Sequence, residues 1–206
     1  MFWHELHKID QGVSLEINSW DSPITDAIWQ FFSNIPVWIP MYALIIALLI
    51  WKLGWKKGLV VLAAVGLTFG FCDQFSNIIK DAVGRVRPLN DPFMLENGLN
   101  ILEKGTRSFS FFSAHAANAF GIATCTCVAF AKIITPTNEA KPKWLRIYTS
   151  WMFTWAALVA ISRVFVGKHY LGDVLAGALI GALAGYAFAW IAGIISDIMQ
   201  NKKKPQ

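Results

Sequence analysis

Apolar residues occur in five long runs separated by short polar stretches. The runs cover about 27–51, 58–79, 113–131, 147–166 and 172–196. Each is close to the ~20 residues that an α-helix needs to cross a lipid bilayer. The pattern therefore predicts an all-α integral membrane protein with five transmembrane helices.

Residues 1–22 show a different pattern, with an apolar residue at every third or fourth position. The apolar positions are Trp3, Leu6, Ile9, Val13, Ile17 and Trp20. Such a helix is typical of one that lies in the membrane interface, and a helix packed on the outer end of the bundle would look the same. We therefore expect one domain over 1–206, built from an interfacial helix over 1–22 and a bundle of five spans.

Composition agrees with a membrane protein, since 55% of the 206 residues are hydrophobic and the mean hydropathy is +0.46. The formal net charge is +5, but the basic residues flank the apolar runs, so we expect no nucleic-acid partner. Cys72, Cys125 and Cys127 lie inside apolar runs. Their spacing fits no metal site and indicates buried thiols, with a Cys72–Cys125 disulfide as the less favoured alternative.

The basic residues also predict an orientation. Ten of the 18 Lys and Arg residues lie in 52–57, 132–146 and 201–206, on the same side of the predicted spans. By the positive-inside rule this side is cytoplasmic. The polar loop 80–112 is then an outer loop, facing the periplasm or the exterior from a bacterial inner membrane.

Ionisable side chains accompany the outer ends of four apolar runs, where they are costly and usually functional. The polar residues at these ends are Lys80, Arg87, Ser113, His115, Arg163, His169 and Asp173. Three are fixed cations and one is a carboxylate, so the set attracts an anion, and arginine matches phosphate oxygens. Free amides where a helix begins at Ser113 also favour phosphate. No Asp/Glu cluster for magnesium and no His/Cys set for zinc accompanies them, so we expect no metal.

The spacing of His169 and Asp173 suits nucleophilic catalysis. Four positions apart on a helix, they share one face, and a carboxylate on one ring nitrogen leaves the other free to attack. His115, from another span, is placed to protonate the leaving oxygen. Together with the cations this is a complete set for phosphoryl transfer. Gly177, Gly181 and Gly185 continue the same helical row and predict close contact with a neighbouring helix.

Each of these residues also has a purely structural interpretation. The His169–Asp173 pair could be a hydrogen bond at a helix start, and His115 could be a buried histidine. The side chains of Lys80 and Arg87 could extend to the membrane surface. For Arg85 we favour a contact to solvent or lipid headgroups. Lys168 fits either a second phosphate or water. The polar patch at 73–77 predicts interhelical hydrogen bonds, with a supporting role for the site as the less favoured alternative.

Three motifs resemble those of the type-2 phosphatidic acid phosphatase superfamily of membrane lipid phosphatases. They are Lys-x6-Arg-Pro at 80–88, part of Pro-Ser-Gly-His at 112–115, and Ser-Arg-x5-His-x3-Asp at 162–173. Order and spacing agree across most of 70–185. Phe112 replaces the proline and Ala114 the glycine of the second motif, and the added methyl group of Ala114 could narrow the phosphate pocket.

The resemblance implies a fold and a set of roles. The fold is a six-helix bundle, which the interfacial helix and five spans would supply, and the chemistry needs neither metal nor cofactor. His169 would be the nucleophile that forms a phosphohistidine, Asp173 would orient it, and His115 would be the general acid. The implied phosphate ligands are Lys80, Arg87, Ser113, Arg163 and the backbone N–H of Ala114.

The expected function is that of a lipid phosphate or lipid diphosphate phosphatase, whose substrate lies in the bilayer and reacts at the outer face. A phosphotransferase with a lipid or sugar acceptor would use the same residues. A phospholipid-binding or transport protein fits less well, because a transporter places its site near the membrane midplane. Undecaprenyl diphosphate, phosphatidylglycerol phosphate, phosphatidate and lipid A phosphates all fit, and the oligomeric state is left open.

Overall fold

The computed structural model describes residues 2–105, 108–135 and 140–201. The C-terminal lysines, which are predicted to be cytoplasmic, lie outside the described residues. Seven α-helices follow one another in this part of the chain. They are α1 (Phe2–Asn18), α2 (Pro23–Ser33), α3 (Ile39–Val83), α4 (Pro92–Glu96), α5 (Ala114–Ile134), α6 (Lys143–Phe165) and α7 (Leu171–Asn201). The described ranges contain no strand, which confirms the all-helical prediction.

The helix α3 is a hairpin rather than a single rod. At Gly54, φ 75° and ψ 159° interrupt the helical backbone between arms 39–53 and 55–83, a conformation that favours glycine. A Cβ built on Gly58 would lie 3.1 Å from the Cα of Ile50, although eight positions of straight helix span ~12 Å. The two arms are therefore antiparallel neighbours, as the first two predicted spans require.

The first predicted span, 27–51, begins too early. The helix α2 ends at Ser33, a 3-10 turn covers Ile35–Trp38, and α3 begins only after it. Pro36 and Pro40 lack the N–H that a continuous helix would use, which explains the interruption. The last three predicted spans agree with α5, α6 and α7 to within five residues at each end.

By length and apolarity, three segments of the described chain can cross a membrane. They are Ile35–Glu96, Ala114–Ile134 and Leu171–Gln200. The protein is therefore an integral membrane protein. Because the first segment contains both arms of the α3 hairpin, and α6 has 23 residues, five crossings are compatible with this fold, but the count of five stays a prediction.

The helix α5 packs against α3, α6 and α7 and forms the centre of the bundle. Its contact with α7 is the closest. A Cβ built on Gly181 would lie 2.0 Å from the carbonyl oxygen of Ala117, and one on Gly177 would lie 2.4 Å from that of Ser113. The predicted glycine row thus faces the bundle and brings the amino ends of α5 and α7 side by side. The three cysteines are buried and free.

The helix α1 turns its polar face toward the protein. The buried polar side chains on this face are Gln11, Ser14 and Asn18. Asn18 donates to the carbonyl oxygens of Val164 and Phe165 at 3.1 and 2.9 Å, which ties α1 to the end of α6. By contrast, Ile9 of α1 and Trp20, which follows this helix, are 62% and 64% exposed. The helix packs on the end of the bundle with its apolar side outward, and its location in the membrane interface stays a prediction.

Candidate active site

The predicted site residues meet at one end of the bundle, where α5 and α7 begin and where α3 and α6 end. Lys80, Arg87, Arg163 and His169 are each at most 6% exposed. Together with Ala114 and His115 they line one cavity of about 580 Å³. Three helices, α3, α5 and α6, and the loops that follow α3 and α6 therefore contribute to a single pocket.

Ser113 and Asp173 lie directly behind this pocket. The Ser113 N–H donates to the backbone carbonyl of Asp173 at 3.0 Å, and the Ser113 hydroxyl accepts a bond from the Ala116 N–H at 3.4 Å. Ser113 is thus the N-cap of α5, the position that serine prefers at a helix start. Its role as a phosphate ligand stays a prediction.

Both ring nitrogens of His169 have partners. Nδ1 lies 3.4 Å from the Asp173 carboxylate, and Nε2 lies 3.1 Å from a guanidinium nitrogen of Arg87. Because arginine can only donate, Nε2 accepts and the ring proton is on Nδ1, facing Asp173. Burial lowers the pKa of His169 to about 4 against the opposing effect of Asp173. The ring is therefore neutral at neutral pH, with its lone pair on Nε2.

The buried carboxylate of Asp173 has three further partners. Oδ2 accepts from the Ser110 hydroxyl at 2.5 Å and from the Tyr170 N–H at 3.1 Å. Oδ1 lies 2.6 Å from Arg85. A carboxylate with no exposed surface is thus fully paired, as buried charges must be. None of these three partners was assigned to the site by the sequence analysis.

Arg85 occupies a different place from the one predicted. Its guanidinium lies between Asp173 and Asp10, at 2.6 and 2.7 Å, and 3.9 Å from the centroid of the Tyr170 ring. The side chain is only 16% exposed. The expected contact to solvent or lipid headgroups is therefore wrong. The one sequence signal was the position of Arg85 inside the first motif, two residues before Arg87.

The end of α3 directs the first motif into the pocket. Gly84 has φ 64° and closes the helix by donating its N–H to the Lys80 carbonyl at 2.9 Å. Beyond this turn, Arg87 donates to the carbonyl and hydroxyl oxygens of Ser108 at 2.8 and 2.9 Å and to the Lys168 carbonyl at 3.1 Å. These bonds fix the guanidinium beside His169.

Within the polar patch at 73–77, Ser76 has the supporting role that was the less favoured of the two predictions. The Ser76 hydroxyl donates to the Asp73 carbonyl of its own helix at 2.9 Å and accepts from the Lys80 ammonium at 3.3 Å. Ser76 therefore does not form the predicted interhelical bond. Instead it steadies the buried Lys80, one turn further along α3.

A carboxylate that no motif contains contacts the predicted phosphate ligand Arg163. Glu103 lies 3.3 and 3.4 Å from the two terminal guanidinium nitrogens and 3.9 Å from the Lys168 ammonium. Arg163 also donates to the Ser33 hydroxyl. The Nε of Arg163 is buried without a hydrogen-bond partner in the described chain. The Glu103 carboxylate is thus paired with Arg163 and Lys168, and the Nε–H of Arg163 has no acceptor in the described chain.

His115 lies in the first turn of α5 and lines the pocket. No hydrogen bond engages its ring within the described ranges, whereas the ring of His169 is held at both nitrogens. The same ring lines a second cavity of about 570 Å³, which shares Arg163 and Lys168 with the first. His115 is therefore free to act on a bound molecule from the junction of two cavities.

Away from the cations the first cavity continues as an apolar space between α2, both arms of α3, α5 and α6. Its apolar walls include Trp38, Ile45, Leu49, Leu62, Val65, Phe69, Ile122, Trp155 and Val159. A pocket with convergent cations at one end and hydrocarbon walls beyond suits an amphiphile with an anionic head.

A histidine–aspartate pair beside a buried cationic pocket, at the end of a membrane-embedded helical bundle, is consistent with the class of membrane phosphatases. Within that class the chain belongs to the PAP2 superfamily, which is the type-2 phosphatidic acid phosphatase superfamily. The sequence profile of this family matches residues 55–195. The match contains all three motifs predicted from the sequence. This confirms the family resemblance.

Similar proteins agree with the family. The chain is 34% identical over 199 residues to the lipid A 4'-phosphatase of Bacteroides thetaiotaomicron, covering 95% of this chain and 82% of that protein. It is 30% identical over 138 residues to phosphatidylglycerophosphatase B of Bacillus subtilis, covering 67% and 60%. The fold matches the crystal structure of a PAP2-type phosphatidylglycerolphosphate phosphatase from Bacillus subtilis with TM-score 0.61 and 21% identity, covering 97% and 88%. The protein is thus a hydrolase, a membrane lipid phosphatase.

Proposed function

We propose that this protein hydrolyses the phosphate monoester of a lipid through a phosphohistidine on His169, without a metal ion, at the outer face of the membrane. The observation that carries the proposal is the placement of the His169 ring. Its protonated nitrogen faces Asp173, and its unprotonated nitrogen accepts from Arg87 at the cationic end of the cavity. This is the arrangement that a nitrogen nucleophile for a phosphoryl group requires.

The reaction then has two steps. In the first, the Nε2 lone pair of His169 forms a bond to phosphorus while the bond from phosphorus to the lipid oxygen breaks, and His115 donates a proton to that oxygen. In the second, His115 takes a proton from water as the water oxygen attacks phosphorus and the bond from phosphorus to Nε2 breaks, which releases inorganic phosphate and restores His169. Asp173 stabilises the positive charge on the imidazole ring between the two steps.

Side-chain cations supply the charge stabilisation in this scheme. Lys80, Arg87 and Arg163 converge on the pocket, and the unpartnered Nε of Arg163 offers a further donor to a phosphate oxygen. Among the described residues, no group of three or more His, Cys, Asp or Glu side chains could hold a metal ion. The three cations support phosphoryl transfer with fixed charges in the role that magnesium has elsewhere.

The outer-face location is supported by the distribution of basic residues. Lys56 and Lys57 follow the hairpin turn of α3, Lys132 lies in the last turn of α5, and Lys143 begins α6. These positions are at the bundle end opposite to the pocket. Under the positive-inside rule that end faces the cytoplasm, and the pocket faces outward.

As substrate we propose a phosphorylated glycolipid of the lipid A type. The apolar cavity would take a hydrocarbon chain, while the second cavity, which includes Gln30, Asn34 and Glu103, offers amide and carboxylate groups to sugar hydroxyls. The two cavities meet at His115, where the leaving oxygen must lie. Similarity to a lipid A 4'-phosphatase over 95% of the chain supports the same choice.

The first prediction is that the purified protein releases inorganic phosphate from lipid A in detergent with excess chelator present. We expect slower release from phosphatidylglycerol phosphate, phosphatidate and undecaprenyl diphosphate. Vanadate, which mimics a pentavalent phosphoryl group, should inhibit. The measurement is inorganic phosphate released against time for each lipid, with and without chelator.

Other outcomes would contradict specific parts of the proposal. Activity that chelator removes and magnesium restores would contradict the metal-free scheme. Transfer of labelled phosphate to an added lipid or sugar, without release, would make the protein a phosphotransferase. Faster release from a lipid without a sugar headgroup would contradict the glycolipid assignment.

The contact between Glu103 and Arg163 leads to a second prediction. The carboxylate of Glu103 competes with phosphate for Arg163 and Lys168, so Glu103→Gln should lower the inhibition constant of inorganic phosphate several-fold. The matched control is Glu96→Gln, at an exposed position at the end of α4. This substitution should leave the inhibition constant of inorganic phosphate unchanged. Weaker phosphate inhibition in Glu103→Gln would instead mean that Glu103 holds Arg163 in position for the anion.

A further inference from the structure

The two oxygens of Asp173 have separate partners. Oδ2 receives the ring of His169, the hydroxyl of Ser110 and the N–H of Tyr170. Oδ1 has Arg85 as its hydrogen-bond partner at 2.6 Å. Because Asp173 has no exposed surface, removal of Arg85 would leave a buried carboxylate oxygen without a donor, which is strongly unfavourable.

Arg85 is in turn held by α1. Its Nη2 lies 2.7 Å from Asp10 and 3.0 Å from Nδ1 of His7, and its guanidinium stacks on the ring of Tyr170. Asp10 therefore fixes the guanidinium from the side opposite to Asp173. A planar group held on two edges and one face has little freedom to turn.

Asp10 also fixes the start of α7, the helix that carries Asp173. Its Oδ1 accepts the Gly172 N–H at 2.8 Å, and the neighbouring Leu171 N–H donates to Ser14 of α1 at 2.9 Å. Two of the free amides at the start of α7 are thus satisfied by α1 side chains. A Cβ built on Gly172 would lie 2.6 Å from Asp10 Oδ2, so glycine allows this close approach.

The charges in this cluster suit the proposed intermediate. Arg85 alone would neutralise Asp173 and weaken its attraction for the imidazole ring, which is positively charged while phosphorylated. Because Arg85 is shared between two carboxylates, the group Asp10–Arg85–Asp173 keeps a net negative charge. That negative charge balances the ring of His169 during the reaction.

We infer that Arg85 and Asp10 are positioning residues for this reaction, which hold the Asp173 carboxylate in the orientation that His169 requires. The helix α1 is then part of the support of the active site, although it carries none of the three motifs. The inference rests on the proposed role of His169 as nucleophile. It adds two residues to the reaction that neither the motifs nor the family match assigns.

The test compares Arg85→Ala and Asp10→Asn with wild type and His169→Ala in the full chain, using the phosphate-release assay. We expect Arg85→Ala to lower kcat about 100-fold with little change in KM. The reason is that the Asp173 carboxylate would shift by about 1 Å from the position that His169 requires. Asp10→Asn keeps the shape but removes the charge, and should lower kcat about tenfold. Millimolar guanidinium chloride should restore part of the kcat of Arg85→Ala and nothing in His169→Ala.

The controls are Arg146→Ala and Glu16→Gln, at exposed positions of α6 and α1, which should keep wild-type kcat. Unchanged kcat in Arg85→Ala, or a loss that guanidinium does not restore, would overturn the inference. If Arg85→Ala does not fold, Asp10→Asn decides, since a kcat equal to that of Glu16→Gln would refute the role of the cluster. An inactive wild type would refute the proposed function itself, which separates the two failures.

Discussion

Replacing His169 with alanine is expected to abolish phosphate release. The loss should be at least about 10⁴-fold in kcat, the order seen when the nucleophile of a catalytic unit is removed. The reason is geometric, because no other described side chain presents a lone pair beside Arg87 in the pocket while paired to a buried carboxylate. Stopped reactions of wild type with radiolabelled lipid phosphate should contain a protein-bound label that is stable to base and labile to acid, as expected for a phosphohistidine.

The matched control is His4→Ala, at an exposed position in α1, which should retain both turnover and the trapped label. If the His169→Ala variant still contained the protein-bound label, another residue would be the nucleophile, and His115 would be the next candidate. Residual turnover within tenfold of wild type would contradict the covalent route altogether.

The second large effect is expected from Gly181→Ala. The new methyl group would lie 2.0 Å from the carbonyl oxygen of Ala117, so α5 and α7 must separate. We expect a loss of about 2 kcal/mol or more in the free energy of unfolding, equivalent to roughly 4–8 °C in melting temperature for a chain of this size. Activity should fall as well, because α5 carries His115 and α7 carries Asp173. Thermal unfolding followed by tryptophan fluorescence and the phosphate-release assay measure the two effects.

A glycine elsewhere in the bundle offers the control. Gly70, in the second arm of α3, has no atom within 4 Å of a built Cβ, so Gly70→Ala should leave stability unchanged or slightly raised. Equal melting temperatures for the two variants would mean that α5 and α7 do not pack through backbone contact.

The motif residues were predictable because charge inside an apolar sequence is conspicuous. Lys80, Arg163 and His169 stand out from their surroundings, and burying them would be costly without a function. Their spacing along the helices and their order in the chain then limited which of these side chains could lie in the same site. The structure places all three against one cavity.

The supporting residues were not predictable. Whether a polar residue within a polar stretch is buried depends on the tertiary packing around it, which the local sequence does not show. Arg85, Ser110 and Glu103 lie in a loop region where exposed polar residues are the usual interpretation. Asp10 belongs to an amphipathic helix, whose apolar face would normally be taken as the buried one. In a membrane protein the outer surroundings are themselves apolar, so α1 can bury its polar face and expose Ile9.

The backbone contact between α5 and α7 leaves no space for a hydrocarbon chain to pass between these helices. A lipid that diffuses laterally in its leaflet therefore cannot enter between α5 and α7, whereas α2, α6 and the α3 hairpin line the apolar cavity. The flank formed by α5 and α7 would thus admit no substrate, and neighbouring proteins in the membrane could cover it without slowing turnover.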